Sequence, residues 1–289
     1  MGLGVRMSRI VYVNGKYLPE EEASISIFDR GFLMADAVYE VTSVLDGKLL
    51  EFEGHLKRLK RSLSELDMPE PSVLNDLLEI HRKLVNDNQV EQGGVYLQVT
   101  RGVADRDFVY PKDVEPTLVV FTQSKDILGS PLVNSGMKVI SIDDLRWGRR
   151  DIKTVQLLYP SMGKMMAKAA DCDDAWMVED GYVTEGTSNN AYIVVGNKII
   201  TRELSNDILH GITRASVLRY AKEAQMIVEE RSFSVDEVKS ADEAFITSAS
   251  TFVMPVVEFD GVLIGTGKPG NVSKRLREIY IEESRNKAI

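Results

Sequence analysis

Arg149-Arg150-Asp151-Ile152-Lys153-Thr154 sets one lysine between charged residues and the apolar positions Val155, Leu157 and Leu158. A lysine among apolar neighbours loses part of its hydration, and a desolvated amine is the kind that serves Schiff-base chemistry. Most lysines in mixed segments instead snorkel their ammonium to water, and Lys164 and Lys168 follow as rival amines. Thr184-Glu185-Gly186-Thr187-Ser188-Asn189-Asn190 reads as a polar loop leading into the apolar strand Ala191 to Val195, with an ordinary turn as the plainer alternative. In Leu209-His210-Gly211-Ile212-Thr213-Arg214, Gly211 permits close backbone approach and Thr213 is placed to cap the helix that follows. The start of a helix presents free N–H groups and suits an anion such as a phosphate.

Around these stretches lies a chain of 289 residues, 44% hydrophobic and 27% charged. That length supports one large or two modest domains, burying ~75% of the unfolded chain's surface. With 35 Lys plus Arg against 44 Asp plus Glu, the net charge of -9 argues against a partner bound through its phosphate backbone, as nucleic acid is. The single Cys172 forms no internal disulfide, and His55, His81 and His210 are too scattered for a zinc cluster, so no metal is expected and the compartment reads as cytoplasmic. No apolar run approaches the ~18 residues of a membrane span. At the start, Arg6 stands where a myristoylation signal wants Ser or Thr, no export signal is expected, and Met7 offers an alternative start.

Strand patterns cover Ile10 to Val13, Val38 to Leu45, Val95 to Thr100 and Thr117 to Thr122, with turns at Asn14-Gly15 and Asp46-Gly47. Leu56, Leu59, Leu63 and Leu66 recur at helical spacing over Glu53 to Asp67, leaving Lys57, Arg58, Lys60 and Arg61 on the other faces. Ser72 reads as the N-cap of a helix carrying Leu77, Leu78, Leu84 and Val85. The Gly and Pro residues of 124–135 interrupt both periodicities and mark a linker. Beyond it, strands at Lys138 to Ile142, Ala175 to Val178, Tyr192 to Val195 and Ala244 to Thr247 mix with helices at Met162 to Ala170, Thr213 to Glu223 and Asn271 to Arg285. The expected class is α+β, divided into a small α/β domain over 1–125, a linker over 126–135 and a large domain over 136–289.

Two motifs mislead. Gly265-Thr266-Gly267-Lys268-Pro269-Gly270 satisfies G-x-G-x-x-G, but a dinucleotide site needs a second strand with an acidic end ~20 residues on, and the sequence ends at Ile289. A turn and a helix start explain it. Ser161-Met162-Gly163-Lys164 matches S-x-x-K without the companion motifs of a serine nucleophile. His55 and His81, on amphipathic helices, read as exposed or partly packed.

Taken together, Asp29-Arg30-Gly31, Val38-Tyr39-Glu40, His55-Leu56-x-Arg58-Leu59, Arg150-Asp151-Ile152-Lys153, Thr184-Glu185-Gly186-Thr187-Ser188-x-Asn190 and Gly211-Ile212-Thr213-Arg214 resemble the fold-type IV pyridoxal-phosphate enzymes, in order and spacing, over residues 9–285. Within that family the chain most resembles the D-amino acid transaminases. The resemblance implies the family's two-domain fold, with pyridoxal 5'-phosphate held by the large domain and between the two. It implies that Lys153 forms the Schiff base on the cofactor's re face and then carries the Cα proton. Glu185 then faces the pyridine nitrogen, Arg58 binds the phosphate, the N–H groups of Ile212 and Thr213 with the Thr213 hydroxyl complete the phosphate cup, and Leu209 packs on the ring.

For the substrate, Tyr39 and Val41 match pocket positions, and Arg106 matches an arginine that takes the substrate carboxylate from a neighbouring subunit, which implies a homodimer. The sequence departs from the family at two places. Phe108 stands where a histidine is usual, and Ala249, beside Ser248, leaves only its backbone N–H to the phosphate. Losing one charged donor weakens carboxylate binding by ~1.5 to 3 kcal/mol unless Arg30 compensates. The activity expected is transfer of an amino group from a D-amino acid such as D-alanine to a 2-oxo acid such as 2-oxoglutarate, with (R)-selective amine transaminase, branched-chain L-amino acid transaminase and aminodeoxychorismate lyase as the alternatives on this fold.

Overall fold

In the computed structural model, residues 8–289 are described, so the readings made on Met1, Gly2, Arg6 and Met7 lie outside them. Asn14 and Gly15 take positive φ of 45° and 88° and fold β1 (Ile10–Val13) back on β2 (Lys16–Pro19) through a two-residue turn, with Val13 opposite Lys16. Only Gly and residues such as Asn enter that left-handed region cheaply, which is why the Asn-Gly pair encodes the hairpin. Asp46-Gly47 repeats the device between β3 (Ala37–Leu45) and β4 (Lys48–Leu49). With β5 (Gln92–Thr100) and β6 (Thr117–Ser124) these strands form an antiparallel sheet in the order β2-β1-β6-β5-β3-β4.

Contacts divide the chain into two units: Met1–Asp126 with Lys153–Val155 and Lys287–Ile289, and Ile127–Ile152 with Gln156–Asn286. The first holds that sheet with α1 (Arg30–Met34), α2 (Phe52–Glu65) and α3 (Leu77–Asp87). Its core is apolar, with Val38, Val44, Leu63, Leu84, Val95 and Val99 all excluded from water. Two sequence expectations fail here. Ser72 caps nothing; the chain enters α3 through a short 3-10 turn at Leu74–Asp76, closed by backbone bonds from Leu74 N–H to Pro71 and from Asp76 N–H to Val73. Nor are the two helix histidines exposed, since His55 and His81 are both buried.

His81 illustrates the cost of that burial. Its ring meets Phe52 edge-on at 5.2 Å and its Nδ1 lies 2.7 Å from the Leu77 carbonyl oxygen, while burial pushes its pKa from 6.5 down to about 4. The unfolded chain therefore takes up a proton at His81 as pH falls through 6.5, and the folded chain does so only near 4. This contribution to stability is complete above pH 6.5 and declines across that window by about 3 kcal/mol. Urea unfolding at about pH 7 and about pH 4.5 should show the wild type losing about 2 to 3 kcal/mol more than His81→Gln. Equal losses in the two proteins would refute the assignment.

The second unit is built on a nine-stranded mixed sheet, ordered β12-β11-β10-β13-β14-β7-β8-β9 with β15 on β14. Its strands are β7 (Met137–Asp143), β8 (Asp174–Glu179), β9 (Tyr182–Gly186), β10 (Asn190–Val195), β11 (Lys198–Thr201), β12 (Ile227–Glu230), β13 (Glu243–Ser248), β14 (Phe252–Phe259) and β15 (Val262–Leu263). The helices are α4 (Leu132–Ser135), α5 (Leu158–Ala169), α6 (Ile212–Glu223), α7 (Val235–Ser240) and α8 (Asn271–Lys287). Trp176, Ile193, Phe233, Ile246, Met254 and Phe259 anchor the core. The fold is α+β, as expected.

The G-x-G-x-x-G stretch is a turn and helix start, as read from sequence. Glu243 from β13 accepts the N–H groups of Val272 and Ser273 at 3.0 and 3.1 Å, capping α8 with a carboxylate where a dinucleotide phosphate would otherwise sit. Ser161 of the S-x-x-K match donates to the Leu157 carbonyl one turn back along α5, an ordinary helix contact. Among the described residues no helix is long and apolar enough to cross a membrane.

Candidate active site

Lys153 is fastened to β3 in the first unit. Tyr39 N–H donates to the Lys153 carbonyl at 3.0 Å, Val155 N–H to the Ala37 carbonyl at 3.1 Å, and Val38 and Thr154 form an antiparallel bridge. The strand's two-residue alternation puts Tyr39 and Val41 on one face and Glu40 on the other. On the first face the Lys153 Nζ stands 4.1 Å from the centre of the Tyr39 ring, and that ring stacks on Tyr96, which stacks on Phe121. Lys153 is half-buried and has no acidic partner among the described residues. Its rivals differ: Lys164 pairs with Asp174 at 2.9 Å, and Lys168 is exposed on α5.

On the opposite face of β3 a buried charge cluster forms. Glu40 receives the Arg58 guanidinium through Nε and Nη2 at 2.7 and 2.6 Å, and His55 Nδ1 lies 2.7 Å from the same carboxylate. Burial alone pushes the Glu40 carboxyl up, and Arg58 with His55 more than reverses this, holding it at about 2. The helical pattern placed Arg58 on an outer face of α2; instead it is buried, because Glu40 supplies a fork-shaped acceptor from a strand far away in sequence.

The second unit assembles around Glu185. The sequence suggested a loop, but Thr184, Glu185 and Gly186 end β9, with Trp176 opposite Gly186 on β8. Polar side chains fit this strand because each has a partner: Thr184 donates to Asp144 at 2.6 Å, and Arg146 Nη1 donates to Glu185 Oε1 at 2.7 Å. Glu185 Oε2 accepts from Asn190 Nδ2 at 3.0 Å and from Leu209 N–H at 3.1 Å. All three groups bonded to this carboxylate are donors. Burial pushes its pKa up, against the pull of Arg146 and the Leu209 N–H.

Asn190 also donates to the Leu209 carbonyl, so it joins β10 to the segment entering α6. Gly211, the N-cap residue, approaches so closely that a Cβ there would lie 2.1 Å from Asn190 Oδ1. Thr213 is not the N-cap residue; it is buried one residue inside α6, and the N-cap, Gly211, has no side chain to offer the helix start. Asn190 is paired across the sheet with Thr247, which brings Ser248, the next residue of β13, to the same end of the sheet. The Ser248 hydroxyl bonds Thr251 Oγ1 at 2.7 Å, and Ala249 is half-buried beside it.

The substrate candidates are placed differently. Arg106 and Phe108 lie exposed on a loop of the first unit, the guanidinium 5.4 Å from the phenyl centre, with Phe108 77% exposed. Arg30 is buried; it donates to Asp36 at 2.7 Å and to the Asp107 carbonyl at 2.6 Å, between those two residues. Sequence reasoning missed Arg146 and Asp144, which carry no motif. It also missed Asp174, fully buried, which accepts from Thr187 Oγ1 at 2.5 Å and Asn189 Nδ2 at 2.6 Å and so fixes the turn after Glu185.

These residues suit pyridoxal phosphate by the chemistry of their donor sets. An amine without an acidic partner suits an aldehyde, an acceptor-only carboxylate ringed by donors suits a protonated ring nitrogen, and a helix start whose N-cap is a glycine suits a phosphate. The family model described as "Amino-transferase class IV" matches residues 37–259. The D-alanine aminotransferase of Staphylococcus aureus strain N315 is 37% identical over 93% of this chain and 95% of its own. The D-alanine aminotransferase of Bacillus licheniformis is 38% identical over 92% and 94%. Among solved structures, a branched-chain amino acid aminotransferase from T.th., with pyridoxamine 5'-phosphate, superposes with a TM-score of 0.89 at 27% identity, covering 97% of this chain and 95% of that one.

Proposed function

The chain belongs to the class IV aminotransferases, and on that premise we propose that it is a D-amino acid transaminase. A D-amino acid such as D-alanine gives up its amino group and leaves as a 2-oxo acid; a second 2-oxo acid such as 2-oxoglutarate then takes the group, in a ping-pong cycle. The observation that carries this reading is identity of 37 and 38% to two proteins named D-alanine aminotransferase over more than nine-tenths of the chain, against 27% to the branched-chain structure.

The enzyme is pyridoxal-phosphate-dependent. When bound, the cofactor supplies an aldehyde that takes the amino group and a ring that draws electrons from the substrate's Cα. We assign Lys153 to the aldehyde and to moving the Cα proton, supported by its place over Tyr39 and by the ion pair that commits Lys164 elsewhere. Glu185 is assigned to the ring nitrogen, where a carboxylate keeps a proton, and Leu209 to the ring face. Ile212, Thr213, Ser248, Ala249 and Arg58 are assigned to the phosphate, with Glu40 orienting Arg58. Tyr39, Val41, Arg106 and Phe108 are assigned to the substrate, and Arg30 serves them by holding the Asp107 carbonyl.

Assembly as a homodimer belongs to the same reading, with Arg106 acting on the neighbouring subunit's substrate. Exposed Phe32, Phe108 and Val109, at 69, 77 and 74%, support an interface on the first unit. A cytoplasmic location is supported by the single cysteine, Cys172. Purified yellow protein mixed with D-alanine should bleach within the mixing time of a spectrophotometer and should keep its colour with L-leucine or an (R)-amine. Bleaching by L-leucine alone selects the branched-chain activity, and bleaching by none of the three removes the transaminase assignment.

A further inference from the structure

Arg277 lies on α8, buried, with no acidic partner among the described residues. Its guanidinium donates instead to three backbone carbonyls: Nη1 to Thr251 at 2.7 Å and Val253 at 2.8 Å, and Nη2 to Ile127 at 2.8 Å. The first two flank Phe252, whose φ of 59° puts an aromatic residue in the left-handed region that normally belongs to glycine. Such a backbone persists only where its surroundings over-determine it. Here the ring is fully buried against Tyr280 at 5.2 Å, and the Arg277 guanidinium lies 5.9 Å from its centre while gripping the carbonyl on either side.

Phe252 pairs with Ser248 across the β13–β14 hairpin, so the residue held in this conformation closes the turn of Ser248, Ala249, Ser250 and Thr251. The same turn is knit internally by the bond from the Ser248 hydroxyl to Thr251. A charge with no carboxylate to neutralise it, bonded to the backbone of a turn assigned to a phosphate, acts twice: its Nη1, with the guanidinium plane anchored through Nη2 on Ile127, fixes the turn, and its field favours a dianion there. We propose that Arg277 is a positioning residue for cofactor phosphate binding, acting through the Thr251 and Val253 carbonyls on the Ser248–Thr251 turn. The proposal rests on the assignment of Ser248 and Ala249 to the phosphate.

A lysine at 277 keeps the charge but has one nitrogen, so it cannot hold the Thr251 and Val253 carbonyls as Nη1 does and the Ile127 carbonyl as Nη2 does in one fixed plane. The full-length chain, stripped of cofactor, is titrated with pyridoxal phosphate and with pyridoxal, and the dissociation constant for pyridoxal divided by that for pyridoxal phosphate isolates what the phosphate contributes. In Arg277→Lys, and in Arg277→Met if it folds, that ratio should fall about tenfold or more relative to wild type, with pyridoxal binding held within about threefold. A ratio equal to wild type, with both constants weakened together, reduces Arg277 to a packing role and overturns the proposal. A wild-type ratio near one would instead overturn the phosphate site itself, and the proposal with it.

Discussion

Replacing Lys153 with alanine should lower turnover by about 10⁴-fold or more, because one amine is assigned both the covalent and the proton-transfer work. The same substitution should leave the fold almost untouched. Lys153 is half-buried and has no ion pair among the described residues; its side chain lies over the Tyr39 ring, a contact worth about 0.5 to 1 kcal/mol at such a site. The segment is tied to β3 by backbone bonds through Tyr39, Ala37 and Val155, which alanine keeps. Steady-state kinetics, visible absorbance and urea unfolding on one preparation test the pair of claims. Lost activity and colour with stability unchanged within about 1 kcal/mol is the expected result, and a variant that still turns over at wild-type rate and stays yellow assigns the chemistry to another amine.

Glu185→Gln should reduce turnover by roughly 10² to 10³-fold, the usual loss when one preorganised charge is removed from a buried site. Unlike the lysine change, it should also cost stability. Arg146 Nη1, Asn190 Nδ2 and Leu209 N–H all donate to this carboxylate, so an amide NH₂ must face at least one donor and leave it unsatisfied. An unsatisfied buried polar group costs about 1 to 3 kcal/mol. Glu185→Gln with full activity would remove the carboxylate from the reaction, and full stability would contradict the donor ring described around it. Coupled loss of both is what distinguishes this residue from Lys153.

The sequence made much of this legible where the information is local. Asn14-Gly15 and Asp46-Gly47 mark their hairpins because Gly, Asn and Asp enter positive φ more cheaply than other residues, a local property that needs no distant partner. The helical spacing of Leu59 and Leu63 likewise locates α2. What stayed hidden depends on partners distant along the chain. Charge patterning turns Arg58 outward, since nothing near it reveals that Glu40 waits on a strand 18 residues earlier. Thr184-Glu185-Gly186 looks like a loop because its polarity is satisfied by Asp144, Arg146 and Asn190, none of which a periodicity count includes.

Strand β14 was missed for a different reason. Pro255 stands in its middle, and proline lacks the N–H that a central strand needs. The structure accommodates it through register: Pro255 faces Phe245 of β13, whereas pairing with β7 begins one residue later, at Val256 and Met137. The catalytic candidates Lys153 and Glu185 were found because a resemblance spread over six short motifs outweighs any of them singly. Arg146 and Asp174 belong to no such motif, and only the folded geometry brings them to Glu185 and to the turn after it.

The most direct test of the central claim is the handedness of the amino acid the enzyme makes. Purified enzyme is supplied with D-alanine and 2-oxoglutarate, and the glutamate formed is resolved on a chiral column. The account predicts D-glutamate in amounts matching the pyruvate released, and no glutamate when L-alanine replaces D-alanine. L-glutamate as the product, or turnover with L-alanine in place of D-alanine, would contradict it.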